Sequence, residues 1–441
     1  MNSVFLHFYQ KVHFLVIYTE YENEDYTLCN SLSNLGKGKQ TMKVDFLNLK
    51  RQYAEIATEL EETVIECLRS GAYIEGPKVK ELEKKLAEYL DVSHVITCGN
   101  GTDALALALK ACGIGHGDEV ITTSFSFFAT SEAIAAVGAI PVFVDVKKDD
   151  YNIDPEKIEN KITLKTRAIL PVHIFGSPAD MDAINEIAHR HNLVVIEDAA
   201  QAIGCTYHGR KAGALGDVGC FSFYPTKNLG GCGDAGMVTT NDENIANAVR
   251  ALKAHAAGKV GAKAYEFLSH AEAEIDPISN ANTGSELYDP YKYYNYLIGG
   301  NSRLDSVQAS VLLVKLNQLD KYNESRRRIA NKYDEALRET GIQLPLCRNE
   351  GECWHQYAVM VPDRDSFVQY MCECEIGTGA FYPVPLHLQK AFRYLNYKEN
   401  DCPVAEYLCK HSVCLPIFPE LTEQEQNYVI DCILKYFGGT R

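Results

Sequence analysis

Apolar residues recur along this chain in two alternating rhythms. Short apolar runs, HVITC (94–98), EVITT (119–123), PVFVDV (141–146), AILPVH (168–173) and LVVIED (193–198), alternate with the helical-period stretches TDALALALKAC, ATSEAIAAVG and ADMDAINEIAHRH. CFSF and GMVTT predict further strands on either side of a glycine-rich loop. Strands separated by helices of roughly 10–15 residues predict a mostly parallel sheet wrapped by helices. Ligands of such sheets sit beyond the carboxyl ends of the strands. Upstream, Phe46 to Leu90 reads as mostly helical, interrupted by the loop SGAYIEGP. From about Ser325 a long helix, LPL, YAVMV and a final helix after LTEQEQ predict a smaller C-terminal α+β domain.

The chain has 441 residues, 46% hydrophobic and 23% charged, ordinary for a globular protein of one large or two domains. Its formal net charge of −16 argues against nucleic acid, which needs a basic face. A locally positive pocket for a small anion remains compatible with that charge. The 15 cysteines are scattered and show no recurring zinc spacing, so reduced thiols in a cytoplasmic enzyme, with no metal, are expected. At the N-terminus, the apolar core is too short for a membrane span, Lys11 interrupts it, and no cleavage site follows. Patterned sequence starts near Met42. Residues 1–41 are therefore expected to be a disordered extension or an upstream read-through, and no membrane association is expected.

The candidate chemistry starts at FSFYPTKNLGGCGDAGMVTT, Phe221 to Thr240. GCGDAG has the spacing G-x-G-x-x-G, but a dinucleotide loop follows a strand and opens a helix. Here a strand follows the glycines, so the nicotinamide reading fails. The glycines read instead as places where backbone passes close to a ligand. Lys227 is either a solvated surface lysine or one that forms a Schiff base. At Asn100-Gly101-Thr102-Asp103 a tight turn enters a helix, an ordinary cap or a phosphate site. Asp198 ends an apolar strand, where a buried carboxylate needs a partner: a helix N-terminus or a protonated ring nitrogen. The phenylalanines of TSFSFFAT pack in the core or cover a flat ring. A phosphate loop, an aromatic, a buried aspartate and a lysine are together what pyridoxal 5'-phosphate (PLP) requires.

These features lie in GNGTDALALAL, DEVITTSFSFFAT, IEDAAQAIG, FSFYPTKNLGGCGDAG, GGNSRLDSVQAS, YPVPLHLQ and LPIFPELTEQE. On these segments the chain resembles the DegT-type (DegT/DnrJ/StrS) sugar aminotransferases from about Met42 to the C-terminus. The resemblance implies the aspartate-aminotransferase-like α/β fold (PLP fold type I). It divides the chain into a large PLP-binding domain over 42–300 and a connecting helix with a small domain over 301–441. It implies that Lys227 binds the cofactor aldehyde and that Asp198 pairs with the pyridinium. Gln201 would lie beside the ring's phenolic oxygen and Phe127 would stack on the ring. Gly101, Thr102, Asp103 and Ser222 would belong to the phosphate side. Asn301 would reach the phosphate from the neighbouring subunit of a homodimer with shared sites. Arg303, Tyr382 and His387 would face the substrate.

The implied reaction moves an amino group from glutamate to a keto-sugar carried on a nucleotide. GNSRLDSVQ is more similar to members that aminate C3 than C4. Two alternatives stand beside it: a sugar dehydratase on the same scaffold, whose members carry histidine at the position of Lys227, and a non-catalytic PLP-binding regulator. One departure from the family is a longer connection over about 256–296, containing Tyr288, Tyr291, Tyr293, Tyr294 and Tyr296. It reads either as a cover for the sugar-nucleotide site or as a surface insertion.

Overall fold

The structure, a computed structural model, describes residues 42–273, 293–346 and 351–438. The stretch 1–41, and Tyr288 and Tyr291 of the insertion, lie outside the described residues.

Two helices open the described chain, α1 (Leu49–Ser70) and α2 (Pro77–Leu90). Then strands and helices alternate as the hydrophobic rhythm predicts: β1 (His94–Cys98), α3 (Gly101–Ala111), β2 (Glu119–Thr123), α4 (Ala129–Ala136), β3 (Ile140–Val144), β4 (Thr166–Leu170), α5 (Met181–His191) and β5 (Val194–Asp198). A short hairpin, β6 (Thr206–Tyr207) and β7 (Arg210–Lys211), precedes β8 (Val218–Ser222) and β9 (Gly236–Thr240). Two strands end before their apolar runs do. β4 stops before Pro171, which has no N–H for the ladder. β3 stops before Asp145, whose carboxylate instead accepts the Val404 and Ala405 N–H groups at 3.2 and 2.9 Å.

The seven-stranded sheet has the order β1-β9-β8-β5-β4-β2-β3. β3, β2, β4, β5 and β8 run parallel, and β9 is antiparallel to both β1 and β8. Successive strand residues face opposite sides. Val195 joins a core with Leu86 of α2 and Ile184 of α5, whereas Ile196 joins a core with Leu105 of α3 and Ile134 of α4. Helices α6 (Glu243–Leu252) and α7 (Gly258–Ser269) complete this second face through Val249 and Ala264. α7 opens the long connection, so this part of it is packed on the domain. The connection's far end returns to the same place: Tyr296 N–H donates to Ala256 O at 3.0 Å and Gly258 N–H to Tyr294 O at 3.0 Å.

Helix α8 (Ser306–Leu316) belongs to the first core through Ala309 and Leu312. Along α9 (Leu319–Leu337) the packing changes hands. Leu319 lies in that core, but Ile329, Tyr333 and Leu337 lie in a separate C-terminal one. There they meet β10 (Tyr357–Met360), α10 (Arg364–Glu373), β11 (Ser412–Leu415) and α12 (Glu423–Tyr436), with α11 (Pro403–His411) alongside. A fourth cluster joins Phe125 and Phe175 to Ala358, Met360 and Cys414. It presses the C-terminal sheet onto the strand ends of the large one.

Candidate active site

Register brings the predicted chemistry to one edge. Asp198 pairs with Cys220 across β5 and β8, Ser222 with Gly236 across β8 and β9, and Gly236 with Cys98 across β9 and β1. The carboxyl ends of β1 and β8 are therefore level, that of β5 lies opposite Cys220 just before them, and the segments after the three strands share a floor.

Asn100 caps α3, its side chain accepting the Asp103 N–H at 2.8 Å. Helix geometry leaves first-turn N–H groups for an outside acceptor, and the helix dipole favours an anion there. Ser222 closes this end. A β-carbon on Gly101 would lie 2.7 Å from Ser222 Cβ, so only glycine permits the approach. Thr102 is half-buried in the same turn. Asp103 does something else: it accepts from Ser302 Oγ at 2.6 Å, while Ser302 Oγ accepts from the Gly99 N–H at 2.9 Å. Ser302, which sequence reasoning passed over, thus pins the segment carrying Asn301 and Arg303 to this turn. Asn301 itself is exposed and Arg303 half-buried.

Asp198 is buried, 6% exposed. Its carboxylate accepts from Thr130 Oγ1 at 2.8 Å and from the Ala200 N–H at 3.2 Å. Burial raises its pKa, against the Thr130 and Ala200 hydrogen bonds and the nearby charges of Lys227 and His173. The partner predicted from a helix N-terminus is not what is found; side chain and local backbone hold it. Lys227 follows β8 in a turn closed by its own N–H on Tyr224 O at 2.8 Å. Desolvation lowers its pKa from 10.5 to about 8, with Asp198 opposing. A lysine so tuned is a far better nucleophile near neutrality than a solvated one.

Gln201 spans the site. Its Oε1 accepts the Phe175 N–H at 2.7 Å, and its Nε2 donates to Tyr382 Oη at 2.8 Å. Tyr382 stacks on Phe175 at 6.5 Å between ring centroids, and Phe127 stands 6.0 Å from Tyr382. Phe127 is 56% exposed, as a ring that waits for a partner surface would be. His387 Nε2 meets Glu406 of α11 at 3.2 Å, and among the described residues no hydrogen bond joins it to Asp198, Gln201 or Lys227.

The glycines of the lysine loop answer to the chain itself, contrary to the expected approach to a ligand. A β-carbon on Gly230 would collide with Pro225 O, one on Gly231 would lie 2.8 Å from Gln308 Oε1, and one on Gly236 would collide with Asn100 O. Gln308 of α8 also accepts the Cys232 N–H at 2.8 Å, so the loop is fixed to that helix.

Three further residues escaped the sequence reading. Asn228, next to Lys227, donates its two amide protons to Asn323 Oδ1 at 2.9 Å and Cys353 O at 2.8 Å. Asn323 in turn donates to Ile203 O at 3.0 Å. The backbone carbonyls leave one orientation for both amides, so Asn228 Oδ1 is an acceptor. His355 Nδ1, 3.1 Å away, must therefore carry a proton. Burial, Lys227 and Arg326 hold His355 well below its ordinary pKa, so it is neutral with a lone pair on Nε2. The adjacency of Asn228 to Lys227 was the available signal; Asn323 and His355 are distant in sequence and carried none.

A phosphate fits the α3 turn beside Ser222, and a protonated ring nitrogen fits Asp198. An aldehyde fits Lys227 between them. The residues present therefore suit PLP. Among the described residues no His, Cys, Asp and Glu cluster could hold a metal ion, and no helix is long and apolar enough to cross a membrane.

The DegT/DnrJ/EryC1/StrS aminotransferase family model matches residues 54–434. A pleiotropic regulatory protein of Geobacillus stearothermophilus is 43% identical over 90% of this chain and 99% of its own length. The dTDP-3-amino-3,4,6-trideoxy-alpha-D-glucose transaminase of Streptomyces venezuelae is 38% identical over 90% of this chain and 97% of its own. NtdA of Bacillus subtilis, solved with bound cofactor PMP, superposes with a TM-score of 0.77 at 31% identity, covering 93% of this chain and 89% of that one. The chain belongs to the DegT/DnrJ/EryC1/StrS aminotransferase family.

Proposed function

We propose that this protein is a PLP-dependent transaminase that moves an amino group from glutamate to a keto-sugar carried on a nucleotide, with the keto group at C3. The observation that carries the reading is that Asp198, buried at the end of β5, and Lys227, in the turn after β8, lie near enough for each charge to act on the other. The S. venezuelae relative's name, a dTDP-3-amino sugar transaminase, supports both the substrate class and the position.

Bound PLP would supply an electron sink and a carbonyl that accepts and returns the amino group. The α3 turn with Gly101, Thr102 and Ser222 would hold its phosphate. Asp198 would supply the negative charge that holds a proton on the cofactor's ring nitrogen. Gln201, held by Phe175 and Tyr382, would lie beside the cofactor's phenolic oxygen, and the exposed Phe127 would stack on its ring. Lys227 would hold the cofactor aldehyde, and its amine would serve as the base that moves a proton at the substrate's α-carbon. Its amine is neutral enough for that work because the site desolvates it.

The reading extends to a homodimer in the cytoplasm in which Asn301 serves the partner's site. The exposure of Phe127 and Asn301 supports an open face that a second subunit completes. Arg303 and Tyr382 face the sugar nucleotide. The dehydratase alternative is disfavoured because Lys227 stands where dehydratases carry histidine. The regulatory name of the G. stearothermophilus relative favours a binder, but the assembled Lys227, Asp198 and Ser222 set favours catalysis. Screening purified protein with glutamate against 3-keto and 4-keto nucleotide sugars tests the proposal. Turnover of a 4-keto sugar alone would overturn the C3 assignment, and turnover of neither would overturn the substrate class.

A further inference from the structure

Two buried hydroxyls hold the Asp198 carboxylate in line. Thr130 Oγ1 donates to Asp198 Oδ2 at 2.8 Å, and Ser126 Oγ lies 2.8 Å from the same Thr130 oxygen. All three residues are buried, with Ser126 3% and Thr130 1% exposed. A threonine hydroxyl has one proton, and an ionised carboxylate only accepts. The Thr130 proton is therefore spent on Asp198, and Ser126 must donate to Thr130. The direction of the relay, from Ser126 to Thr130 to Asp198, follows from that count. Local structure builds it: Ser126 lies at the strand-to-helix turn and Thr130 in the first turn of α4, so both hydroxyls reach the strand end where Asp198 emerges.

We propose that Thr130, oriented by Ser126, is a positioning residue that keeps the Asp198 carboxylate ionised and turned toward the cofactor ring. The proposal rests on the role given to Asp198 above. Burial pushes the Asp198 carboxyl up, and the Thr130 hydrogen bond is the largest influence opposing it, ahead of the Ala200 N–H, Lys227 and His173. The other titratable groups that act on this carboxylate or feel it are Cys220 of β8 and Tyr382, and burial keeps both protonated. Neither brings a positive charge that could replace the Thr130 hydrogen bond.

The test uses cofactor-free protein with 13C-labelled aspartate, so it does not depend on turnover. The Asp198 carboxyl is titrated by NMR in wild type, Thr130→Val, Thr130→Ser and Ser126→Ala. Thr130→Val is expected to raise the Asp198 pKa, Thr130→Ser to restore it, and Ser126→Ala to raise it by less. A folded Thr130→Val protein in which Asp198 titrates as in wild type overturns the proposal. Should Thr130→Val fail to fold, an unchanged titration in Ser126→Ala overturns it instead. In the PLP-loaded enzyme, Thr130→Val should lose about tenfold in kcat for the glutamate half-reaction, the worth of one hydrogen bond to a charged group. That loss should deepen toward acid pH with little change in KM. A shifted Asp198 titration without any transamination would uphold the relay while rejecting the proposed function.

Discussion

A single methyl group cannot be placed between Gly101 and Ser222: a β-carbon on Gly101 would stand 2.7 Å from Ser222 Cβ and 3.2 Å from its Cα. The first turn of α3 and the end of β8 thus form one cradle, and its shape depends on the absence of a side chain. Gly101→Ala must push α3 and β8 apart or move Ser222. Overpacking of this kind costs about 1–3 kcal/mol. The expected outcome is PLP binding weakened at least roughly tenfold at equilibrium dialysis, with the fold intact by circular dichroism. Unchanged PLP affinity would show that this turn is an ordinary helix cap.

Lys227 should leave a pH signature in the cofactor-free protein. Its folded pKa, about 8, lies below the ordinary 10.5, so the unfolded chain binds the extra proton between those values. Stability then rises with pH in that window. The cost of burying the ammonium is fully present below about 8 and disappears as pH approaches 10.5. Lys227→Met should therefore be more stable than wild type at pH 7, with the difference shrinking from pH 8 upward in urea titrations. A difference that is flat with pH would mean Lys227 is solvated.

Asp198→Asn removes the charge at nearly constant shape. PLP should still bind, while the glutamate half-reaction loses roughly 3 kcal/mol or more of transition-state stabilisation, as on removal of other electrostatic groups. Single-turnover kinetics measure this directly, and wild-type rates in the variant would remove Asp198 from the mechanism.

Asn228→Ala strips partners from His355 Nδ1, Asn323 Oδ1 and Cys353 O together. Each buried group left unpaired costs about 1–3 kcal/mol. The variant should be destabilised on that scale in urea, and its Lys227 loop should exchange amide hydrogens faster than wild type. In wild type, 15N NMR should find His355 as the neutral Nδ1–H tautomer at neutral pH.

Much of this site could be read from local sequence because its parts lie at strand ends, where a short apolar run announces the residue that follows. Asp198 and Ser222 terminate such runs, and Lys227 follows one in a turn. What could not be read depends on approach between distant segments. Ser302 reaching Asp103, and His355 and Asn323 closing on Asn228, are contacts over long sequence separations that no periodicity encodes. The same limit explains the glycines at 230, 231 and 236. Their spacing suggested a ligand, but their neighbours are Pro225, Gln308 and Asn100. His387, too, carried no sign in its local motif that it would pair with Glu406.

The shared site is tested by mixing inactive subunits. If Asn301 serves the partner, a hybrid of Lys227→Ala and Asn301→Asp chains gathers both defects into one site and leaves the other wild type. Random pairing of equal amounts makes about half the dimers hybrids, so roughly a quarter of all sites should recover in an isologous dimer. A mixture that stays inactive would place Asn301 in its own chain's site.

The most direct test of the central claim follows the bound cofactor by its absorbance through both halves of the reaction. Glutamate alone should convert PLP-loaded enzyme to the pyridoxamine form, with one 2-oxoglutarate released per site. Adding a 3-keto nucleotide sugar should then restore the PLP spectrum and yield one equivalent of 3-amino sugar, and Lys227→Ala should do neither. Enzyme that binds PLP but shows no change with glutamate, or that reaches the pyridoxamine form and returns with no keto-sugar nucleotide, would contradict the account.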